Sequence, residues 1–178
     1  MRKILIVVGS GVQKGNTNQL AQAFEKGAKE AGHDVQRIVL SENIQGCQGC
    51  GACQKNSHQC VIQDSMQNYY ALFEWTDTIV LASPLYFWSI SGRLKCFIDR
   101  LYAISQDDQY PYKETVLLMS AGDNHFWTFE QALSFYSFYT KALGWKDLGH
   151  VLAGGCESEP RYIPTQKLQE AYQKGLHL

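Results

Sequence analysis

The chain has 178 residues, of which 45% are hydrophobic and 19% charged, enough for one domain with a full core over residues 1–178 and too few for two. Lys and Arg number 16 against 17 Asp and Glu, and the longest basic run is Arg2-Lys3, so neither nucleic acid nor an anionic membrane is expected as a partner. The N-terminal apolar run ends at Val8, too short for a signal peptide, and no window reaches transmembrane length, so a cytoplasmic, reducing location is expected.

From the N-terminus onward, short branched apolar runs alternate with helical stretches. Residues 3–8 should form a first strand, followed by a glycine-rich loop (10–16) and a helix over 17–31, with Leu20 and Phe24 on one face and Gly32 as its stop. A second strand (35–40) leads into a cysteine-rich segment and a helix over 65–75. A third strand (78–82) is followed by the loop 84–90 and a helix over 91–103, after which the polar stretch 105–113 reads as a surface connection. A fourth strand (115–119), the loop 120–126 and a helix over 129–143 come next; a fifth strand (149–153), the loop 154–160 and a helix over 165–176 complete the chain. Such alternation gives an α/β fold on a parallel sheet. Right-handed crossovers bring every post-strand loop to the carboxyl edge, where ligands bind at the switch in strand order, and the cysteine segment is expected on that edge with the glycine-rich loop. The helix over 129–143 carries more aromatic residues than one narrow stripe needs, which points to a doubly buried helix or to a face shared in a homo-oligomer.

The loop after the first strand, GSGVQKGNTNQL, combines glycines that permit tight folding with Ser10, Asn16, Thr17 and Asn18 as donors at a helix start, an arrangement suited to an anion. Its spacing is neither the dinucleotide fingerprint, since Lys14 stands where a third glycine would fall, nor a Walker loop. After the third strand, Pro84 stiffens the exit and Leu85, Tyr86, Phe87 and Trp88 form an aromatic ledge fit for a flat heterocycle. Cys47, Cys50, Cys53 and Cys60 follow a C-x2-C-x2-C-x6-C pattern loosened by Gly46, Gly49 and Gly51. This spacing suits an iron-sulfur cluster better than zinc, and reduced thiols with nothing bound stand level with the cluster as a reading. Among the histidines, His58 lies within the cysteine loop and His125 beside the loop after the fourth strand.

Together these segments resemble the flavodoxin-like FMN proteins, specifically the NAD(P)H-dependent FMN reductases and iron-sulfur flavoproteins. Gly9, Ser10, Asn16 and Thr17 match the family's phosphate loop in register. Gly11 and Val12 stand where Pro and Arg are usual, so a cationic phosphate partner is missing unless Lys14 replaces it. Residues 83–87 and 91–100 are similar to the segment that borders the isoalloxazine, and residues 60–66 are similar to the end of the family's cysteine segment. The resemblance implies a flavodoxin-like doubly wound five-stranded parallel sheet in the order 2-1-3-4-5. It also implies FMN as cofactor, NAD(P)H as co-substrate, and a quinone, nitro compound or other small-molecule or protein electron acceptor. It further implies backbone donors at Ser120, Ala121, Gly122 and Asp123 for the flavin's pyrimidine edge, and a [4Fe-4S] cluster on the four cysteines, which relatives with similar cysteines can lack. An FMN oxidoreductase, an electron carrier passing electrons between cluster and flavin, and a zinc-clamped or thiol-bearing interaction module remain the three function classes.

Overall fold

The computed structural model describes residues 1–40, 44–107 and 109–178. Strands β1 (Lys3–Val8), β2 (Asp34–Val39), β3 (Thr78–Pro84), β4 (Glu114–Ser120) and β5 (Lys146–Ala153) form one parallel sheet in the order β2-β1-β3-β4-β5, the flavodoxin-like order. Between and after them run α1 (Asn16–Glu30), α2 (Met66–Trp75), α3 (Gly92–Arg100), α4 (Glu130–Ala142) and α5 (Thr165–Leu176).

The central strands are apolar at nearly every position because both faces are covered. Side chains alternate in direction: Ile4, Ile6 and Val8 meet Leu20, Phe24 and Ala171 of α1 and α5, while Leu5 and Val7 meet Phe73, Phe97 and Tyr136 of α2, α3 and α4. Each such fully buried side chain contributes roughly 1.5–3 kcal/mol. Helices α1 and α5 touch through glycines: a Cβ on Gly27 would stand 2.0 Å from the Tyr172 carbonyl oxygen, and one on Gly175 would stand 2.2 Å from that of Phe24.

Several boundaries differ from the sequence expectation. Strand β5 begins at Lys146, whose exposed first residues carry no apolar signal. Helix α3 ends at Arg100, and the chain continues as a 3-10 turn over Leu101–Ile104. The stretch 105–113, in which residue 108 lies outside the described residues, is not merely a surface connection: Ser105 and Lys113 are buried, and the Lys113 ammonium donates to the Thr76 carbonyl and stands 4.9 Å from the Phe73 ring centre. A short antiparallel hairpin, β6 (Glu157–Ser158) with β7 (Arg161–Tyr162), was not foreseen. Most aromatics of α4 and its flanks pack against the core, leaving Phe138 exposed. No helix among the described residues is long and apolar enough to cross a membrane.

Candidate functional site

At the carboxyl edge, the loops after β1 and β3 are fastened to each other at the start of α3. Ser91 caps that helix by accepting from the Leu94 amide (3.2 Å), and its hydroxyl donates to the Gly9 carbonyl (2.7 Å). Its own amide donates to the Ser83 hydroxyl (2.8 Å). Glycine is required at position 9 by this closeness, since a Cβ there would lie 2.6 Å from the Ser91 Oγ.

Helix α1 starts with Gly15 at its N-cap, and no side chain among the described residues caps it. Its first turn holds no acidic residue, so the orphan amides and the positive end of the helix dipole are left for an anion. They face a cleft of about 320 Å³ lined by Ser10, Gly15, Asn16 and Thr17 from this loop, by Pro84, Leu85 and Tyr86, and by Ser120, Ala121 and Gly122. The Thr17 and Ser120 hydroxyls share a buried hydrogen bond of 2.7 Å. The Asn16 side-chain amide donates to the Glu157 carbonyl (2.7 Å), while its Oδ1 is buried with no partner among the described residues. Ala121 donates its backbone N–H to the Ala153 carbonyl (2.8 Å), so it is not a free donor in the cleft as the sequence suggested.

Leu85, Ala121 and Gly122 also line an adjoining recess of about 290 Å³ with Phe87, Trp88 and Asp123. Tyr86 and Ser89 exchange two backbone hydrogen bonds of 3.0 and 3.1 Å around Phe87 and Trp88, whose φ angles are 47° and 59°. Two successive aromatic residues in left-handed backbone cost of order 1 kcal/mol or more each, the kind of strain that clusters at binding sites. The turn holds Phe87 93% exposed, and Trp88 continues into Trp127 (6.3 Å between centroids), which stacks on His125 (5.2 Å). A hydrogen bond from the Thr128 hydroxyl (2.8 Å) is the main cause holding the Asp123 carboxyl below the usual range.

Two candidates from the loop lie outside this cleft. Lys14 is exposed and does not line it. Asn18 is buried and turned away, donating to the Gln13 carbonyl and accepting from Arg37 (2.8 Å), so its role is to brace the loop. Conversely, Cys156, Glu157, Ser158 and Glu159, from the loop 154–160 expected on this edge, and Arg161 beyond it also line the cleft, though none was singled out as a site residue. Burial pushes the Cys156 thiol up, which keeps it protonated.

The four cysteines of the array line one cavity of about 290 Å³ with Arg100, Tyr102 and Ala103. The segment leaves β2 at the carboxyl edge but does not stay there. It follows α3, with Arg93 donating to the Leu40 carbonyl (3.2 Å) at the first turn and Arg100 bonded to Gln45 and Asp64 at the last. The cavity therefore lies at the opposite end of α3 from the cleft beside α1, a correction to the expectation of a shared edge. Arg100 Nη1 meets the Gln45 carbonyl (3.0 Å) and Asp64 Oδ2 (2.9 Å), and Nη2 meets the Ile62 carbonyl (3.3 Å) and Asp64 Oδ1 (3.1 Å). One buried guanidinium thus ties both rims of the cysteine loop. Its Nε is buried with no partner among the described residues. No three His, Cys, Asp or Glu side chains among the described residues are grouped to hold one metal ion.

Residues 2–154 match the family described as NADPH-dependent FMN reductase. The chain belongs to that family. An iron-sulfur flavoprotein of Archaeoglobus fulgidus is 33% identical over 100 residues, 56% of this chain and 45% of that protein. One from Methanosarcina thermophila is 32% identical over 99 residues, 55% and 51% of the two chains. The chain spans about half the length of these curated relatives. Among solved structures, an NAD(P)H:quinone oxidoreductase from Methanothermobacter marburgensis superposes with a TM-score of 0.79 at 18% identity, covering 99% of this chain and 95% of that one. An FMN-dependent NADH-azoreductase from Bacillus anthracis, in complex with FMN, gives 0.70 at 17% identity, covering 99% and 97%. At such identities the likeness establishes the fold.

Proposed function

We propose that the protein is an FMN-dependent oxidoreductase that takes electrons from NAD(P)H and passes them to a quinone, nitro compound or other acceptor. The observation that carries this reading is the continuity of an anion-ready helix start with an apolar recess on one sheet edge. The residues fit FMN: the uncapped amides of α1 with Ser10 and Thr17 suit its phosphate, and the unpartnered Asn16 Oδ1 suits a ribityl hydroxyl. Pro84, Leu85, Tyr86 and the segment from Ser120 to Asp123 would border the ring. Bound FMN supplies the hydride and electron chemistry. The chain's own work is placement: Ser91 fixes the spacing of the two loops, and Phe87 and Trp88 offer a flat apolar surface on which an aromatic acceptor can stack. Purified FMN-loaded protein should oxidise NADH or NADPH when a quinone or nitroaromatic is added. Failure with both nucleotides across several acceptors would end this reading.

A second reading adds a [4Fe-4S] cluster on Cys47, Cys50, Cys53 and Cys60, with electrons relayed to a protein partner. It is favoured by the gathering of all four thiols around one cavity. A single zinc needs its sulfurs about 2.3 Å from one centre, whereas these donors are spread around a larger space. A cluster would need four thiolates. Iron and sulfide analysis of anaerobically purified protein tests it, with Cys53→Ala expected to lower both. Flavin without iron would leave a reductase with free thiols, and stoichiometric zinc in colourless protein would favour an interaction module.

A further inference from the structure

We infer that Arg161 is the cationic partner of the FMN phosphate and that, through it, the β6–β7 hairpin sets the preference for FMN over uncharged flavins. This inference rests on the FMN reading above.

The phosphate loop itself supplies no cation to the cleft. Three basic residues come into question. Lys14 is exposed and does not line the cleft. Arg93 packs behind the loop, its guanidinium 3.1 to 3.3 Å from where a Cβ on Gly11 would stand; its Nη1 donates to the Leu40 carbonyl, and it does not line the cleft either. Arg161 does line it, and is the single Lys or Arg among the lining residues.

The hairpin is positioned for this task. Glu157 accepts a hydrogen bond from Asn16, the first residue of α1. Arg161 pairs with Ser158, another lining residue, one register along the ladder from the Glu157–Tyr162 pair, whose Glu157 carbonyl is held by Asn16. Glu157 and Glu159 line the same cleft. Without Arg161 the lining would carry two carboxylates and no positive side chain, a setting that repels a phosphate dianion despite the helix dipole. With it, a phosphate can be held between the α1 amides and a guanidinium, an acceptor geometry that arginine matches well. Position 161 lies beyond residues 2–154, the part of the chain that matches the family, so this cation enters from the opposite end of the sequence to the arginine usual in the loop.

The test is fluorescence titration of flavin-stripped protein with FMN and with riboflavin, for wild type, Arg161→Gln, Arg161→Lys and Lys14→Gln. Arg161→Gln should weaken FMN by roughly 10- to 100-fold, the range for a hydrogen bond between charged groups, and leave riboflavin within about threefold. It should also flatten the salt dependence of FMN binding. Arg161→Lys should recover part of the loss, and Lys14→Gln should change neither ligand. An equal loss of both flavins in Arg161→Gln would make the hairpin a structural support only, and an FMN-specific loss in Lys14→Gln instead would return the role to the loop; either result overturns the inference while FMN binding by wild type stands. Wild type that binds neither flavin would overturn the FMN reading itself.

Discussion

Replacing Asp64 with Asn removes one charge at nearly constant volume, and the structure sets the size of the effect. The Arg100 side chain is 1% exposed and that of Asp64 9%. After the change, the guanidinium keeps the carbonyls of Gln45 and Ile62 as acceptors but has no counter-charge. Stranding a buried charge in this way costs about 3–5 kcal/mol, a large share of the roughly 5–15 kcal/mol that holds a domain together. Urea unfolding at neutral pH should show a lower midpoint with an unchanged slope. The pH dependence gives a second readout. Burial pushes the Asp64 carboxyl up, but the hydrogen bonds from Arg100 and from the backbone N–H groups of Gln45 and Met66 outweigh it, and the group settles below the usual carboxylate range. Its contribution is therefore complete above the unfolded value near about pH 4 and is lost as the pH falls through the lower folded value. Wild type should shed stability over that acid window, and Asp64→Asn should shed less. A variant within about 1 kcal/mol of wild type at neutral pH, with the same acid profile, would refute the account of Arg100 as a clamp that depends on its counter-charge.

Other substitutions test other joints. Gly175→Ala would gain about 1 kcal/mol of helix propensity, but its Cβ would meet backbone at 2.2 and 2.9 Å. Overpacking of about 1–3 kcal/mol or more should win, so denaturant melts should show a net loss. Ser91→Ala removes both the α3 cap and the bond to Gly9; a loss of about 1–2 kcal/mol should appear calorimetrically, together with weaker FMN binding. Phe87→Gly removes an almost fully exposed ring from left-handed backbone, so stability should hold or rise by about 1 kcal/mol, while kcat/KM for an aromatic acceptor falls. An unchanged kcat/KM would remove the ledge from the acceptor site.

The central strands β1, β3 and β4 were legible because their sequence runs are apolar on both faces, as a covered parallel sheet requires, and the loops between elements announced the carboxyl edge. Ser10, Asn16 and Thr17 were readable because donors at a helix start suit an anion, but the same pattern named Asn18, whose side chain turns the other way toward Gln13 and Arg37. Helical phase, not residue type, makes that difference. Strands β6 and β7 are two residues each, too short for any alternation, so Arg161 carried no signal. The turn at Phe87 and Trp88 was hidden because aromatic residues ordinarily argue against positive φ. The course of the cysteine segment along α3 depends on Arg100 reaching Gln45, Ile62 and Asp64, pairings that spacing within the segment could not reveal.

Helix α3 separates the two candidate cofactor positions as a strut does. It starts at the serine that fixes the glycine-rich loop and ends at the arginine that closes the cysteine cavity. Nine residues at 1.5 Å each set about 13 Å between those ends. The cysteine segment is anchored to the flank of this helix by side chains, and no strand of the sheet passes through it. It is therefore separable from the cleft: a shorter, cysteine-free connection from β2 to α2 that keeps Asp64 against Arg100 would leave the cleft's own loops in place, and one scaffold could exist with one cofactor or with two.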